Sequence, residues 1–566
     1  MGFLKHLRSR SNLKDKSKNH GPQAHVYTSH HHPPPLTYRG RDCTEQLPDK
    51  VLRRIFELVC PHTTDDSYET SEKSMIGDGC MLCDLRDLAS CAQVRRRWYG
   101  AAQGLLYKCV RIDAVHYCEL EEILTQNRRR KSRHETTDVP TARLQLFART
   151  VRANQYLAET VELLKLPYMT RETSKADLAR TVSVLPNLRY VDLPDGFYSG
   201  DLGSHTLRQE MQARCSNIRK MKYDAGAEQL FEMLLQGYWQ RIEILELNRL
   251  KVEPMTLRRI IACLPSLVEL KISESPWLND SVFASAPNVV EFPALERLKL
   301  DEMPGITAKG LCTYLSHREN STRLNYLSLA STGVTVDELH TVLSAAPYVR
   351  ELAITATVST SLPMQARPPL RSLMLRTLYF EITSASNAFQ GLQPPHSSYY
   401  AYLITSLLTN SLPSLKDLYV RDQDFAETLT LAPPMPSFAT DGGSSSRGLT
   451  QPLNIYAKGL DELDWIFSTF QPAEEPGRRG SFSGGRPLSA YDASRGLGPQ
   501  WGNDNRKSVV VGNGFGGFLA VPADMPERPK SAGSWTKGNQ SGGHFKGHSR
   551  ADSYNFKRAS RADLWR

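Results

Sequence analysis

Leu295-Glu296-Arg297-Leu298-Lys299-Leu300 is the stretch that decides the fold of this 566-residue chain. Its first, fourth and sixth residues are apolar and the rest are free. Alternate side chains of an extended segment share a face, so Leu298 and Leu300 point one way and Arg297 and Lys299 the other. Working outward, the same spacing recurs at Leu188-Val191-Leu193, Ile218-Met221-Tyr223, Ile242-Leu245-Leu247, Leu267-Leu270-Ile272, Leu324-Leu327-Leu329, Val349-Leu352-Ile354, Leu370-Leu373-Leu375 and Leu415-Leu418-Val420. Val161-Leu164-Leu166 precedes them, and Tyr107-Val110-Ile112 repeats the pattern further upstream. From Leu188 the steps are 30, 24, 25, 28, 29, 25, 21 and 45 residues, a period that belongs to stacked repeat units.

Between these strands lie stretches of helical period, such as Leu257, Ile260, Ile261 and Leu264, or Leu339, Val342 and Leu343. Pro265 and Pro347 end the helices and let the next strand begin. The period is that of leucine-rich repeats, and the expected fold class is α/β: a solenoid over 161–430, with parallel strands on a concave face and helices on the convex one. The long last step predicts a loop insertion around 384–398 and a helix over 399–412. A linker follows over 431–450. Residues 451–470 are expected to cap the open end as a strand at Leu453–Tyr456 and a helix at Leu460–Phe470. Residues 116–160 read as a helical linker broken at Arg128-Arg129-Arg130-Lys131.

The chain is basic only at its ends. Residues 1–42 hold eight Lys/Arg against two Asp/Glu, and residues 471–566 hold fifteen against eight. The net +10 therefore leaves residues 43–470 near −3. Both tails are expected to be disordered, and a mildly acidic body argues against nucleic acid as a partner. No eighteen-residue apolar run predicts a membrane span. The start has no secretory apolar core, and His6 breaks the myristoylation pattern. The ten cysteines are expected to be reduced thiols, in cytoplasm or nucleus.

Upstream of the repeats, Leu47-Pro48 opens a stretch in which Val51, Leu52, Ile55, Phe56 and Val59 form an apolar stripe. Leu85, Leu88, Cys91 and Val94 give a second helix the same character, and Trp98 falls on a third. Three short helices bury little alone, so the stripe implies a partner. Leu47-Pro48, Ile55-Phe56 and Val94-x-x-x-Trp98, followed by leucine-rich repeats, resemble the F-box/leucine-rich-repeat proteins of filamentous fungi. The resemblance makes residues 43–115 a three-helix F-box carrying an insertion at about 62–84. It implies a non-catalytic substrate receptor of an SCF-type cullin–RING ubiquitin ligase, without cofactor. Leu47, Pro48, Leu52, Ile55, Phe56, Val94 and Trp98 would form or support the surface for the small adaptor protein, and the repeats would hold the target protein. The insertion departs from the family pattern and is expected to be a flexible loop between normally packed helices.

In each strand the residues flanking the middle apolar position face away from the core. Tyr190, Lys220, Lys222, Lys271, Arg297, Lys299 and Tyr326 are the candidate target-binding residues on that face. The basic cluster among them either holds an acidic or phosphorylated segment or is solvated charge beside Glu246 and Glu269. No nucleophile–base arrangement stands out, so no enzyme is expected. Gly512–Gly517 matches G-x-G-x-x-G, but Pro522 and Pro526 leave no room for the helix a dinucleotide site needs. Cys60, His62, Cys80 and Cys83 are either a zinc set stapling the insertion or four unrelated residues; C-x-H is an uncommon zinc pair, which favours the latter. Cys91, Cys109, Cys118, Cys215, Cys263 and Cys312 fall in apolar segments and read as core thiols. Residues 549–552 and 560–563 are near-copies, and Ser481 and Ser560, each following a basic pair, suit basophilic kinases.

Overall fold

A computed structural model describes residues 43–74, 80–114, 118–131, 138–284, 290–363, 367–386, 394–431, 449, 451–459, 462, 464–472 and 510–511. Both expected tails apart from a few residues, nearly all of the 431–450 linker, the glycine run at 512–517 and the Ser/Arg patterns at 549–563 lie outside these. The first elements form a helical unit: α1 (Asp49–Val59), α2 (Met81–Val94) and α3 (Arg96–Lys108). Pro48 is the N-cap of α1, where its fixed φ suits the entry and its missing N–H costs nothing. Asp49 adds a negative charge at the positive end of the helix dipole. Leu52 and Phe56, four residues apart, point inward with Cys60 onto Leu88, Ala92, Ala102 and Leu105, and the Trp98 ring meets Phe56 edge-on at 5.3 Å.

A sheet begins where α3 ends. Strands β1 (Cys109–Arg111), β2 (Leu163–Lys165) and β3 (Tyr190–Val191) pair in parallel, with α4 (Glu119–Lys131) and α5 (Val139–Ala153) among the helices between β1 and β2. A larger sheet follows, with β4 (Lys220–Asp224), β5 (Ile244–Asn248), β6 (Glu269–Ser273), β7 (Arg297–Asp301), β8 (Tyr326–Ala330), β9 (Glu351–Val358), β10 (Thr377–Ser384), β11 (Asp417–Val420), β12 (Leu453–Ala457) and β13 (Trp465–Phe470). Val510–Val511 adds a last short pairing, making eleven strands among the described residues, side by side in chain order. From β4 to β12 every pairing is parallel. The register lines up the middle apolar residues Met221, Leu245, Leu270, Leu298, Leu327, Leu352, Leu378, Leu418 and Ile455 in one buried column. Each such side chain contributes about 1.5–3 kcal/mol by burial. The protein is thus mixed α/β, with many helices and one large, mostly parallel sheet.

The chain leaves four successive strands in the same way. Arg249, Glu274, Glu302 and Ser331, each following the last residue of β5 to β8, have φ of 52°, 50°, 53° and 48°. Each donates its N–H to a carbonyl of the next strand: the last residue of β6, β7 and β8 (Ser273, Asp301, Ala330) and Thr355 within β9. None is glycine, so each unit stores left-handed strain in exchange for a bond to its neighbour. Ser331→Val is expected to cost about 1–2 kcal/mol, because a β-branched residue tolerates this region worst. Ser331→Gly is expected to be neutral or slightly stabilising. Urea unfolding midpoints of the two variants check the pair; equal midpoints would mean that the turn rearranges freely.

Three expectations are corrected. Leu370-Leu373-Leu375 is no strand: β10 starts at Thr377, and Leu373 lies exposed. The spacing fits equally well five residues later, at Leu375-Leu378-Phe380, where all three are fully buried. Residues 465–470 are a strand and not part of a helix; Trp465, Ile466 and Phe467 favour extended backbone, and β13 pairs antiparallel with β12, covering the last parallel edge. The insertion is not a flexible loop in its described part: α2 already starts at Met81, and residues 61–74 are packed against the sheet.

Candidate partner-binding surfaces

Val51, Ile55 and Leu58 fall on one side of α1 and are 43%, 42% and 67% exposed, and Val94 at the end of α2 is 66% exposed. Arg97 brings α3 to the start of α1: it donates to Asp49 Oδ1 at 2.8 Å and to the Glu45 carbonyl at 2.8 Å, and also bonds the Leu47 carbonyl. Arg95 pairs with Glu45 beside it. The junction of α2 and α3, just after Val94, is therefore tied to the N-terminus of α1. Of the seven residues singled out from the sequence, Ile55, Val94 and Pro48 are exposed, Leu47 and Trp98 half-buried, and Leu52 and Phe56 are core. Leu58 continues the side of α1 that holds Val51 and Ile55, and the stripe read from the sequence did not include it.

The insertion crosses the start of the sheet as a strap. Lys165 on β2 donates to Asp65 Oδ2 at 2.5 Å, to Ser74 Oγ at 3.0 Å and to Ser67 Oγ at 3.1 Å; the side chains of Lys165 and Asp65 are 0% and 1% exposed. Asp192 accepts from the N–H of Ser71 at 3.0 Å, from the N–H of Leu166 at 2.9 Å and from the Tyr190 hydroxyl at 2.7 Å. Glu72 accepts from the Tyr168 N–H at 2.7 Å and pairs with Arg171 at 3.1 Å. Arg111 donates to the Ser71 carbonyl at 2.7 Å, and Glu69 reaches Lys220 on β4 at 3.6 Å. Tyr68 lies against Tyr190 with ring centres 6.2 Å apart. Tyr190, expected to meet a target, is buried under this strap.

Titration of the strap has a definite sign. Burial raises the Asp65 and Glu72 carboxyls, but Lys165 and Ser67 at Asp65, and backbone bonds with Arg171 at Glu72, outweigh it and hold both below the usual range. Their contribution is therefore present above the unfolded value of about 4 and is lost as pH falls through the depressed folded values. Burial raises the Asp192 carboxyl, which acts in the opposite sense: its contribution is present below the unfolded value of about 4 and is lost as pH rises through the raised folded value. Hydrogen exchange, corrected for intrinsic rates, is expected to show residues 65–74 losing protection below about pH 4 before β5–β9 do. Strap protection unchanged down to the unfolding of β5–β9 would contradict this.

In the middle of the sheet the predicted basic cluster is largely paired. Lys220 bonds Glu246 at 2.9 Å, Lys222 bonds Asp224 at 2.9 Å, and Glu269 takes both Arg297 at 3.0 Å and Lys299 at 2.5 Å. Arg297 and Lys299 also lie over the Tyr326 ring, at 4.2 and 5.4 Å. Burial disfavours charge on Lys220, yet Glu246 and Glu69 outweigh it and hold its ammonium above its ordinary value. Lys271 stands in register between Glu246 and Lys299. Two of these anions, Asp224 and the strap's Glu69, lie outside the flanking pairs from which the cluster was read.

The far end of the same face is aromatic. Tyr379, Tyr419 and Tyr456 stand in register on β10, β11 and β12, stacked at 4.2 and 4.4 Å with interplanar angles of 14° and 8°. Trp465 meets Tyr419 edge-on at 5.3 Å, Phe467 approaches Tyr456 at 5.2 Å, and Lys458 caps Trp465 at 4.2 Å. All five rings are half-buried. Tyr379 was missed because its strand was placed five residues early.

Cys60, His62, Cys80 and Cys83 do not come together as one set, in keeping with the reading of unrelated residues, but Cys80 and Cys83 have a different neighbour. Cys80 and Cys83 at the start of α2 have their Sγ atoms within 4.8 Å of each other and of Cys118, which directly precedes α4. Cys118 is thus not a core thiol, and Cys263 is exposed. Cys60 stands apart in the core of the helical unit, where burial pushes its thiol up to about 11. His62 is buried, and neither ring nitrogen has a hydrogen-bond partner among the described residues.

No family model and no curated protein matches this chain. Among solved structures, the crystal structure of the Rad7 and Elc1 complex in yeast is similar to it at 15% identity, covering 67% of this chain and 98% of that chain with a TM-score of 0.30. No residue role is carried over from it. No helix among the described residues is long and apolar enough to cross a membrane.

Proposed function

We propose that this protein is a non-catalytic substrate receptor of an SCF-type cullin–RING ubiquitin ligase. In this reading the helical unit is an F-box that docks on the small adaptor protein, and the sheet with its helices is a leucine-rich-repeat solenoid that holds the target. The observation that carries it is the exposed apolar row Val51, Ile55 and Leu58, together with exposed Val94, on a unit whose own core is already filled by Leu52 and Phe56. Apolar side chains left outside a complete core are characteristic of a surface covered by another protein. The chain order of the parallel strands and their single apolar column support the repeat reading.

The target would lie on the concave face away from the strap, where the aromatic end over β10–β13 offers rigid, amphipathic contacts. The paired charges over β4–β8 would contribute orientation more than affinity. Such a receptor supplies proximity while another subunit transfers ubiquitin. Size-exclusion chromatography of the full chain with the purified adaptor tests the reading. A one-to-one complex supports it; two separate peaks from folded proteins would leave a repeat scaffold without a ligase.

A further inference from the structure

We propose that Cys80, Cys83 and Cys118 form a binding site for one thiophilic divalent cation, zinc by preference, that clamps the start of α2 to the start of α4. The three Sγ atoms already lie within 4.8 Å of one another, and all three side chains are half-buried. A tetrahedral zinc with bonds of about 2.3 Å places its sulfurs roughly 3.8 Å apart, so the thiols need to close by about 1 Å at most. That is within the reach of small side-chain rotations.

The backbone explains the convergence. Cys80 is the N-cap of α2 and Cys83 its third residue, positions whose side chains face each other across the first helical turn. Cys118 stands in the same relation to α4, where the Glu122 N–H bonds its carbonyl at 3.1 Å. The starts of two helices therefore meet at one place. Three soft sulfur ligands select zinc over magnesium or calcium, which prefer oxygen. Among the described residues no fourth protein ligand joins them, and a water or a further group would complete the tetrahedron. Loading the site releases the thiol protons to solvent, with no change of oxidation state.

Such a clamp has a structural consequence. Cys80 follows the strap, and Cys118 opens the helix that leads from β1 towards β2. One ion would join the two ends of the polypeptide that flank α2 and α3, so the helical unit would be closed on itself where the strap leaves it.

The test uses the full chain, purified under reducing conditions without a metal-affinity tag. Plasma mass spectrometry is expected to find about one zinc per chain. Cobalt(II) exchanged into the site is expected to give thiolate charge-transfer and tetrahedral d–d bands. Cys83→Ser and Cys118→Ser are each expected to weaken cobalt binding at least tenfold, and Cys263→Ser to leave it unchanged. A folded, reduced wild type without zinc and without thiolate bands on cobalt titration would overturn the proposal. So would a Cys80–Cys83 disulfide in the freshly purified chain, or cobalt binding indifferent to Cys118→Ser. The wild-type titration decides even where a variant fails to fold.

Discussion

Lys165→Met is expected to lower the unfolding free energy by about 3–5 kcal/mol, the cost of leaving a buried charge without its partner. The side chain at 165 is wholly buried on β2 and satisfied by Asp65, Ser67 and Ser74, all from the strap. Removing it leaves the buried Asp65 carboxylate without its counter-charge, although Ser67 still donates to it. Asp65→Leu is expected to cost a similar amount by stranding the ammonium. The double variant Lys165→Met/Asp65→Leu is expected to be less destabilised than either single one, because an apolar pair of like volume replaces a desolvated ion pair at little net cost. Urea unfolding of the four proteins at pH 7 completes the cycle. Single-variant losses under about 1 kcal/mol would show that water reaches the pair as it does at an exposed ion pair.

Ile55→Asp combined with Leu58→Asp is expected to weaken adaptor binding at least 100-fold, about 2.7 kcal/mol, while leaving stability nearly unchanged. Both side chains are exposed in the isolated chain, so the charges cost little until an apolar partner covers them. Phe56→Ala gives the contrast: the ring is buried against Trp98 and should cost about 3–5 kcal/mol of stability, with binding lost only through unfolding. Calorimetric titration of the full chain with the adaptor, beside thermal unfolding, separates the two. Unchanged affinity in the double aspartate variant would move the docking face off α1.

The repeats were readable because burial imposes a spacing that composition cannot hide. Met221, Leu298 and Leu418 each occupy the middle of a triplet, and each sits in the central column. The same rule failed at Leu370, where two overlapping triplets satisfied it. Only the β-forming residues Thr377, Tyr379 and Phe380 distinguish the true one. The apolar stripe of α1 was legible as amphipathic, but spacing alone could not separate the side that fills the core, Leu52 and Phe56, from the side left outside, Val51, Ile55 and Leu58.

The strap was illegible for a different reason. Asp65, Ser67, Ser71 and Glu72 are ordinary surface residues in sequence, and their partners Lys165, Arg171 and Asp192 lie about a hundred positions downstream. Nothing local marks an acid as one that will be buried opposite a lysine. The thiol group shares this property. C-x-x-C is visible as a pair, but its third member depends on how α4 returns to the start of α2.

The strap also bears on how this molecule can be rebuilt by recombination. Its residues belong to the helical unit by chain position, yet their bonding partners belong to β1–β4 and the helices beside them. A chimera cut between residue 115 and residue 160 would carry Asp65, Glu69 and Glu72 into a foreign body without Lys165, Lys220 or Arg171 to receive them, and would leave Lys165 buried and unanswered in the body left behind. The helical unit must therefore travel with at least the first four strands. An exchange of bodies that respects this border keeps the lock intact, whereas one that follows the apparent boundary in the sequence breaks it on both sides.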